Sequence, residues 1–371
     1  MIKSSVLFFG LLVFFSCVDR IAIPIPSEFA NDLVVDGLIT DEPGPYFVYL
    51  SRVSKVDGQS KKGVAVSAIR VTVSDNTGNT EVLTESTIGT YQTRANGIRG
   101  VIGREYFVKI ETRDGKVYQS VPDKLSAVSD IDNIYYQLDT FKPDDGPPQY
   151  GFRVFVESKG LPNSDNLFRW KFYGTYIIET FPELHTKPCG ESTCPDPLPC
   201  SSYSLQSGQV AVVVGKKCDC CRCWVTQQED KPRVGDNQFV LEATSSKIEV
   251  GYIPIEYYRF FEKYRIEIKQ MSLSRNAYDF WRAIQLQKEG IGSLFQSPTG
   301  KTPSNLSEAK GGGVQGIFYA SAVKNKQLYI TKNDINVPIT VPISVAGPGK
   351  IPNSCINAFQ FSTTQQPADW K

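Results

Sequence analysis

The chain has 371 residues, with 40 basic and 39 acidic side chains, a formal net charge of +1 and one histidine, His185. That length holds two ordinary domains or one large one, and 41% hydrophobic with 21% charged residues is a globular composition, not a disordered one. The balanced charge gives no electrostatic drive toward nucleic acid, and a lone histidine excludes a multi-histidine metal centre.

Lys3 precedes an apolar run from Val6 to Phe15, followed by Ser16 and Cys17. The run is too short to span a bilayer but fits the apolar region of a signal peptide. A small residue directly before a cysteine at the end of such a run is the bacterial lipobox pattern. In that chemistry the Cys17 thiol takes a diacylglycerol, the chain is cut before it and the new amine is acylated. The plainer reading is a secretory signal with an incidental cysteine, since Phe14 and Phe15 are bulkier than usual lipobox residues. The expectation is a lipoprotein signal peptide at 1–16 and a lipid anchor on Cys17, with no spanning helix. Residues 17–30, with Pro24 and Pro26 and little periodicity, read as a tether.

From Asp32 the pattern changes to short strand-like runs near 32–39, 45–53, 64–74, 80–84, 89–93, 104–112 and 116–121. The turns between them carry Asp57-Gly58, Asn76-Thr-Gly78, Asn96-Gly97 and Asp114-Gly115. Short strands with alternation, as in Tyr106, Val108 and Ile110, predict an immunoglobulin-like β-sandwich over 31–125. Val64 and Val66 share one parity and Ile69, Val71 and Val73 the other, which predicts a bulge near Ser67-Ala68.

The remainder, 126–371, reads as a larger β-rich domain. Its predicted strands are Tyr150–Glu157, Leu167–Phe181, Val210–Val214, Phe239–Ala243, Ile248–Ile253, Tyr264–Leu273, Val314–Val323 and Gln327–Thr331. One helix is predicted at 275–289, capped by Ser274, striped by Tyr278, Trp281, Ala283, Ile284 and Leu286, and stopped by Gly290. The fold class is therefore all-β with minor α.

A loop at 185–225 holds Cys189, Cys194, Cys200, Cys218, Cys220, Cys221 and Cys223, while Cys355 stands alone near the C-terminus. With Cys17 set aside the count is even, which suits disulfides in an exported protein. A thiolate metal site is the rival, but adjacent Cys220 and Cys221 match zinc-knuckle spacing poorly. The expectation is four disulfides and no metal, with connectivity unreadable among 105 pairings. Cys220 and Cys221 are each expected to pair with a distant cysteine, and Cys355 to return to the cluster. The loop itself reads equally as a contact surface or as cover for a sheet edge.

His185 would have to be the base of any serine or cysteine hydrolase, yet no Gly-x-Ser-x-Gly elbow accompanies it, so it reads as a surface histidine. Gly311-Gly-Gly313 lacks the Lys-Ser/Thr ending of a phosphate loop, and Asp144-Asp145-Gly146 lacks calcium-loop spacing. No catalytic residue and no cofactor are nominated.

Two stretches carry a resemblance: Asp32-Leu-Val-Val-Asp-Gly-Leu-Ile-Thr-Asp-Glu-Pro-Gly-Pro-Tyr-Phe-Val-Tyr-Leu-Ser-Arg52, and Tyr264-Arg-Ile-Glu-Ile-Lys-Gln-Met-Ser-Leu-Ser-Arg-Asn-Ala-Tyr-Asp-Phe-Trp281 followed by Gly292-Ser-Leu-Phe295 and Gly316-Ile-Phe-Tyr-Ala-Ser321. With the lipobox, they resemble the Bacteroidota outer-membrane lipoproteins classed as domain-of-unknown-function family 4249. Cys223-Trp224 and the late Cys355 also resemble that family, which makes Cys223 the implied partner of Cys355. The resemblance implies a non-enzymatic accessory or binding protein at the outer membrane, beside a TonB-dependent transporter. The alternatives are a carboxylate-based surface glycan hydrolase and a structural or adhesive envelope protein.

Overall fold

A computed structural model describes residues 32–52, 63–141, 148–228, 231–236, 246–290, 302–311, 313–337, 343 and 349–371. The signal peptide, Cys17, the tether, Asp57-Gly58, Asp144-Asp145-Gly146, the strand expected at Phe239–Ala243 and Gly292–Phe295 lie outside the described residues. None of the described helices is long and apolar enough to cross a membrane.

The first part of the chain supplies β1 (Leu33–Thr40), β2 (Phe47–Arg52), β3 (Val64–Ala65), β4 (Ala68–Asp75), β5 (Thr80–Val82), β6 (Thr84–Thr87), β7 (Thr90–Gln92), β8 (Glu105–Thr112), β9 (Val117–Ser120) and β10 (Asp123–Lys124). Period-two alternation sorts their side chains. Leu33, Val35 and Ile39 of β1 and Tyr106, Val108 and Ile110 of β8 are buried in one core, and the residues between them face outward or into a cleft. The parity change after Val66 marks more than a bulge. Val64-Ala65 pairs with β2 in one sheet, whereas Ala68–Asp75 pairs with β8 in the other, so the chain changes layers there. A register shift between Ala68 and Arg70 follows and leaves Ile69 66% exposed, outside the face that Val71 and Val73 bury.

The rest of the chain forms β11 (Ile131–Phe141), β12 (Gln149–Ser158), β13 (Phe168–Glu179), β14 (Thr186–Cys189), β15 (Ser192–Pro195), β16 (Tyr203–Gln206), β17 (Gln209–Val212), β18 (Arg222–Gln228), β19 (Arg233–Gly235), β20 (Ser246–Pro254) and β21 (Lys263–Ser272). They are followed by α1 (Arg275–Gly290), β22 (Leu306–Glu308), β23 (Val314–Ser321), β24 (Val323–Thr331), α2 (Cys355–Ala358) and β25 (Ser362–Thr363). The protein is all-β with minor α.

The unit read at 31–125 is not closed at residue 125, which corrects the contiguous boundary. Its first sheet runs β23-β1-β2-β7-β6 and its second β22-β9-β8-β4-β5, so each sheet takes an edge strand from beyond residue 300. β23 lies parallel to β1, from Leu33 opposite Val314 to Thr40 opposite Ser321. Gly316 makes that pairing possible. Its φ is +94°, and a Cβ there would sit 1.9 Å from the Val35 carbonyl oxygen.

The single strand expected at Val314–Val323 is instead two, broken at Ala322. There the chain leaves the first sheet and enters another, of order β24-β21-β13-β18-β25. Polar groups secure the crossing: Ser321 Oγ donates to the Ser272 carbonyl (2.8 Å), Ala322 N donates to Ser272 Oγ (2.9 Å) and Val323 N donates to Asp41 Oδ1 (2.8 Å). A three-stranded sheet, β11-β12-β20, packs Phe152, Val154 and Val156 into the same core as Trp170, Phe172, Ile266 and Ile268. The core of the sandwich and that of the second part form one continuous cluster.

Candidate functional site

β13 reads Phe-Arg-Trp-Lys-Phe-Tyr, and its alternation gives it two unlike faces. Phe168, Trp170 and Phe172 enter the core, whereas Arg169, Lys171 and Tyr173 share the opposite face. The facing positions on β21 are Met271, Lys269 and Glu267, which sets Lys171 directly across from Lys269. Like charges at such a pair destabilise a sheet, so the pair needs an anion nearby. Glu42 supplies one for Lys269, with carboxylate oxygens at 2.9 and 3.0 Å from the ammonium. Among the described residues, Lys171 forms no hydrogen bond and no ion pair.

This face is the floor of a cleft of about 450 Å³. One wall is β1 and β2 with the turn between them, presenting Asp36, Glu42, Phe47 and Tyr49; the other is Trp281 of α1, with Tyr319 of β23 behind it. A neighbouring hollow of about 440 Å³ shares Arg169, Gln228 and Trp281 with it and continues past Ile284, Lys288 and Phe361. Tertiary structure brings these walls together: β13 lies in one sheet, β1 and β23 in another, and α1 crosses between them, its Ala277 clustered with Leu167, Leu273 and Ile317.

Arg169 is the centre of the site. It is 7% exposed, its guanidinium carbon lies 3.4 Å from the Trp281 ring centroid, and its Nη1 donates to Tyr319 Oη at 3.0 Å. Its Nε is buried without a hydrogen-bond partner, and no described carboxylate lies within ion-pair distance. Burying a guanidinium on these terms is costly unless something else satisfies it.

Asp36 is accessible from the mouth of the cleft yet surrounded on most sides by protein. Burial pushes its carboxyl up, against the downward pull of Arg169 and Lys171. Burial likewise drives the Lys171 ammonium down to about 8; Arg169 and Lys269 add to this, while Asp36 and Glu42 oppose it. Burial would lower Lys269 as well, but its pair with Glu42 outweighs that and raises it. Phe47 and Tyr49 stack at 6.0 Å, and Tyr49 is 48% exposed beside Asp36, its cross-strand partner. The arrangement can hold an anion against two cations while an aromatic pair covers an adjoining flat group.

The sequence reading did not nominate these residues. Asp36 interrupts an otherwise apolar strand, and Arg169, Lys171 and Tyr173 recur at period two, so a faint signal was present. Trp281 belongs to the apolar stripe expected of the helix, and it packs beside Phe280 at 5.2 Å.

The cysteines lie elsewhere, at the far end of β13. They form Cys189–Cys194, Cys200–Cys220, Cys218–Cys221 and Cys223–Cys355. Cys220 reaches across the loop, but Cys221 pairs with Cys218 three residues away, which corrects the expectation of a distant partner. The tight Cys-Asp-Cys-Cys turn folds back on itself. The loop carries two hairpins, β14–β15 and β16–β17, and His185 sits half-buried at its start with Nδ1 2.9 Å from the Asp196 carbonyl. Cys355 brings β25 to the open edge of β18, where Ser362 and Thr363 pair with Val225 and Trp224. Among the described residues, no cluster of three or more His, Cys, Asp or Glu could hold a metal ion.

The family described as "Domain of unknown function (DUF4249)" matches residues 18–327. No curated protein matches the chain. Among solved structures, the B domain of a biofilm-associated protein aligns with 83% of this chain and 88% of its own at 7% identity, with a TM-score of 0.13, too low to mean a shared fold.

Proposed function

The chain belongs to the DUF4249 family, and from that premise we propose that it is a lipid-anchored, non-enzymatic binding protein of the outer membrane that acts beside a TonB-dependent transporter. The observation that carries this reading is the cleft over β13, where a buried guanidinium and an unpartnered ammonium face an aromatic wall. Such a convergence of a few polar groups in an otherwise formed hollow is the usual build of a small-ligand site. A carboxylate-based hydrolase would need two free acids across the cleft, and the engagement of Glu42 by Lys269 weighs against it. The partner half of the proposal is supported by the stapled loop, which holds Leu205, Val210, Val212 and Val214 exposed on a hairpin and its flank.

The test is recovery of the tagged full-length protein from detergent-solubilised outer membrane, with mass spectrometry of what accompanies it. A transporter enriched over an unrelated lipoprotein supports the proposal; its absence, in cells where the protein itself is recovered, overturns the partner claim. For the anchor, Cys17→Ala is expected to give an uncleaved or soluble form, because stable anchoring needs more than one acyl chain. A processed, membrane-bound variant would reject Cys17 as the anchor.

A further inference from the structure

Among the described residues, Arg169 and Lys171 form no ion pair, and they line a hollow that solvent reaches. Lys269 is satisfied by Glu42, so the remaining carboxylate, Asp36, faces both of them. Guanidinium stacking on Trp281 fixes the plane of the Arg169 fork, and the Tyr319 hydroxyl accepts a hydrogen bond from one of its five N–H groups. Nη2 is left without a hydrogen bond among the described residues, while Nε is buried behind it. Beside this end of the cleft stands the stacked pair Phe47 and Tyr49.

We propose that the cleft binds a small ligand through its carboxylate or phosphate, the oxyanion lying between Arg169 and Lys171 and the rest of the ligand lying along Phe47 and Tyr49. This rests on the reading of the cleft as a ligand site and adds the ligand's chemical class. The oxyanion supplies the direct ion pair that both cations lack among the described residues, Asp36 acting on them at longer range, and charge-assisted hydrogen bonds to them are the strong kind. Asp36 lines the same cleft and can accept a hydrogen bond from a ligand hydroxyl, which favours a polyhydroxylated anion over a plain one. The hollow has room for a single ring with its acid group.

The experiment is calorimetric titration of the detergent-solubilised full-length protein with sodium glucuronate, inorganic phosphate and glucose, at matched ionic strength. Saturable binding of glucuronate or phosphate, with none of glucose, is the expected result, and the stronger anion identifies the oxyanion source. Lys171→Gln is the principal variant, because removing a charge that burial disfavours leaves the fold intact. It is expected to weaken the anion by about tenfold to a hundredfold, the counterpart of one charge-assisted hydrogen bond. Arg169→Lys keeps the charge and loses the planar fork, and it should weaken binding while the thermal melt shows a folded protein. The proposal is overturned if neither anion saturates, if glucose binds as well as glucuronate, or if both variants bind unchanged. Transporter recovery is scored separately on Lys171→Gln. Intact recovery without anion binding in the parent protein rejects this inference alone, and anion binding without recovery rejects the partner claim alone.

Discussion

Two buried carboxylates respond to pH in opposite senses, and each follows from its neighbours. Asp123, 2% exposed, accepts hydrogen bonds from Ala320 N (2.9 Å) and Ser274 Oγ, yet burial outweighs them and raises its carboxyl to about 6. The folded state therefore keeps this proton after the unfolded chain has released it. Its contribution to stability falls as pH rises from about 4 to about 6, by on the order of 2–3 kcal/mol. Asp75 differs. Burial alone would raise it, but hydrogen bonds from the side chains and backbone amides of Asn79 and Thr77 hold it down to about 2. Its stabilisation is present above about 4 and is lost as pH falls toward 2. Urea midpoints measured across this range should show Asp123→Asn removing the decline between about pH 4 and 6 while leaving the acid limb in place. An unchanged decline in that variant would assign it to another group.

Among the elements, α1 and the Cys223–Cys355 bridge show how local chemistry and covalent closure each act. Ser274 Oγ accepts from Ala277 N at 3.2 Å, a side-chain cap on the first turn, and the same hydroxyl donates to Asp123. Ser274→Ala is thus expected to destabilise by about 1–2 kcal/mol, more than an isolated cap, because it also leaves Asp123 with one donor fewer. Cys223–Cys355 spans 132 residues and both cysteines are fully buried, whereas Cys189–Cys194 spans 5 and closes a hairpin tip. Loop-closure entropy grows with span. Paired alanine substitution at Cys223 and Cys355 should lower the unfolding free energy from urea titration by roughly 2–5 kcal/mol, and by more than substitution at Cys189 and Cys194. The reverse order would mean that chain entropy does not govern these bridges.

At the scale of the whole molecule, the sandwich is a product of both ends of the chain. β23 brings Val314, Phe318 and Ala320 into the core beneath β1, and β22 brings Leu306 beside β9. A fragment of residues 31–125 retains the hairpins but exposes β1 and β9 as open edges and lacks those core side chains. It is expected to melt broadly or to associate, whereas the parent protein melts cooperatively. A sharp monomeric transition in the fragment would show that β22 and β23 are dispensable additions. The same interleaving builds the cleft, since its floor and two walls come from β13, from β1 with β2, and from α1.

Much of the fold was legible in the sequence because alternation is a local property. The runs at 32–39 and 104–112 bury one parity, those at 150–157 and 264–273 bury the even one and add Phe155, Arg265 and Met271 from the other, and the observed strands follow all four within a few residues. Ser274 and Gly290 likewise mark the ends of α1. β11 was not legible, because it is an edge strand whose apolar residues, Ile131, Ile134, Tyr135, Tyr136 and Leu138, keep no single parity, and its register shifts between Ile131 and Asn133. The late strands that complete the sandwich, and the sheet change at Ala322, escaped for another reason. Alternation says that a residue lies in a strand but not which strand lies beside it. The cleft is the extreme case. Asp36, Arg169 and Trp281 are far apart in sequence, and the polar interruption that Asp36 makes in its strand does not say what it faces. Only the crossing of two sheets and a helix makes them neighbours and leaves the guanidinium without an ion pair among the described residues.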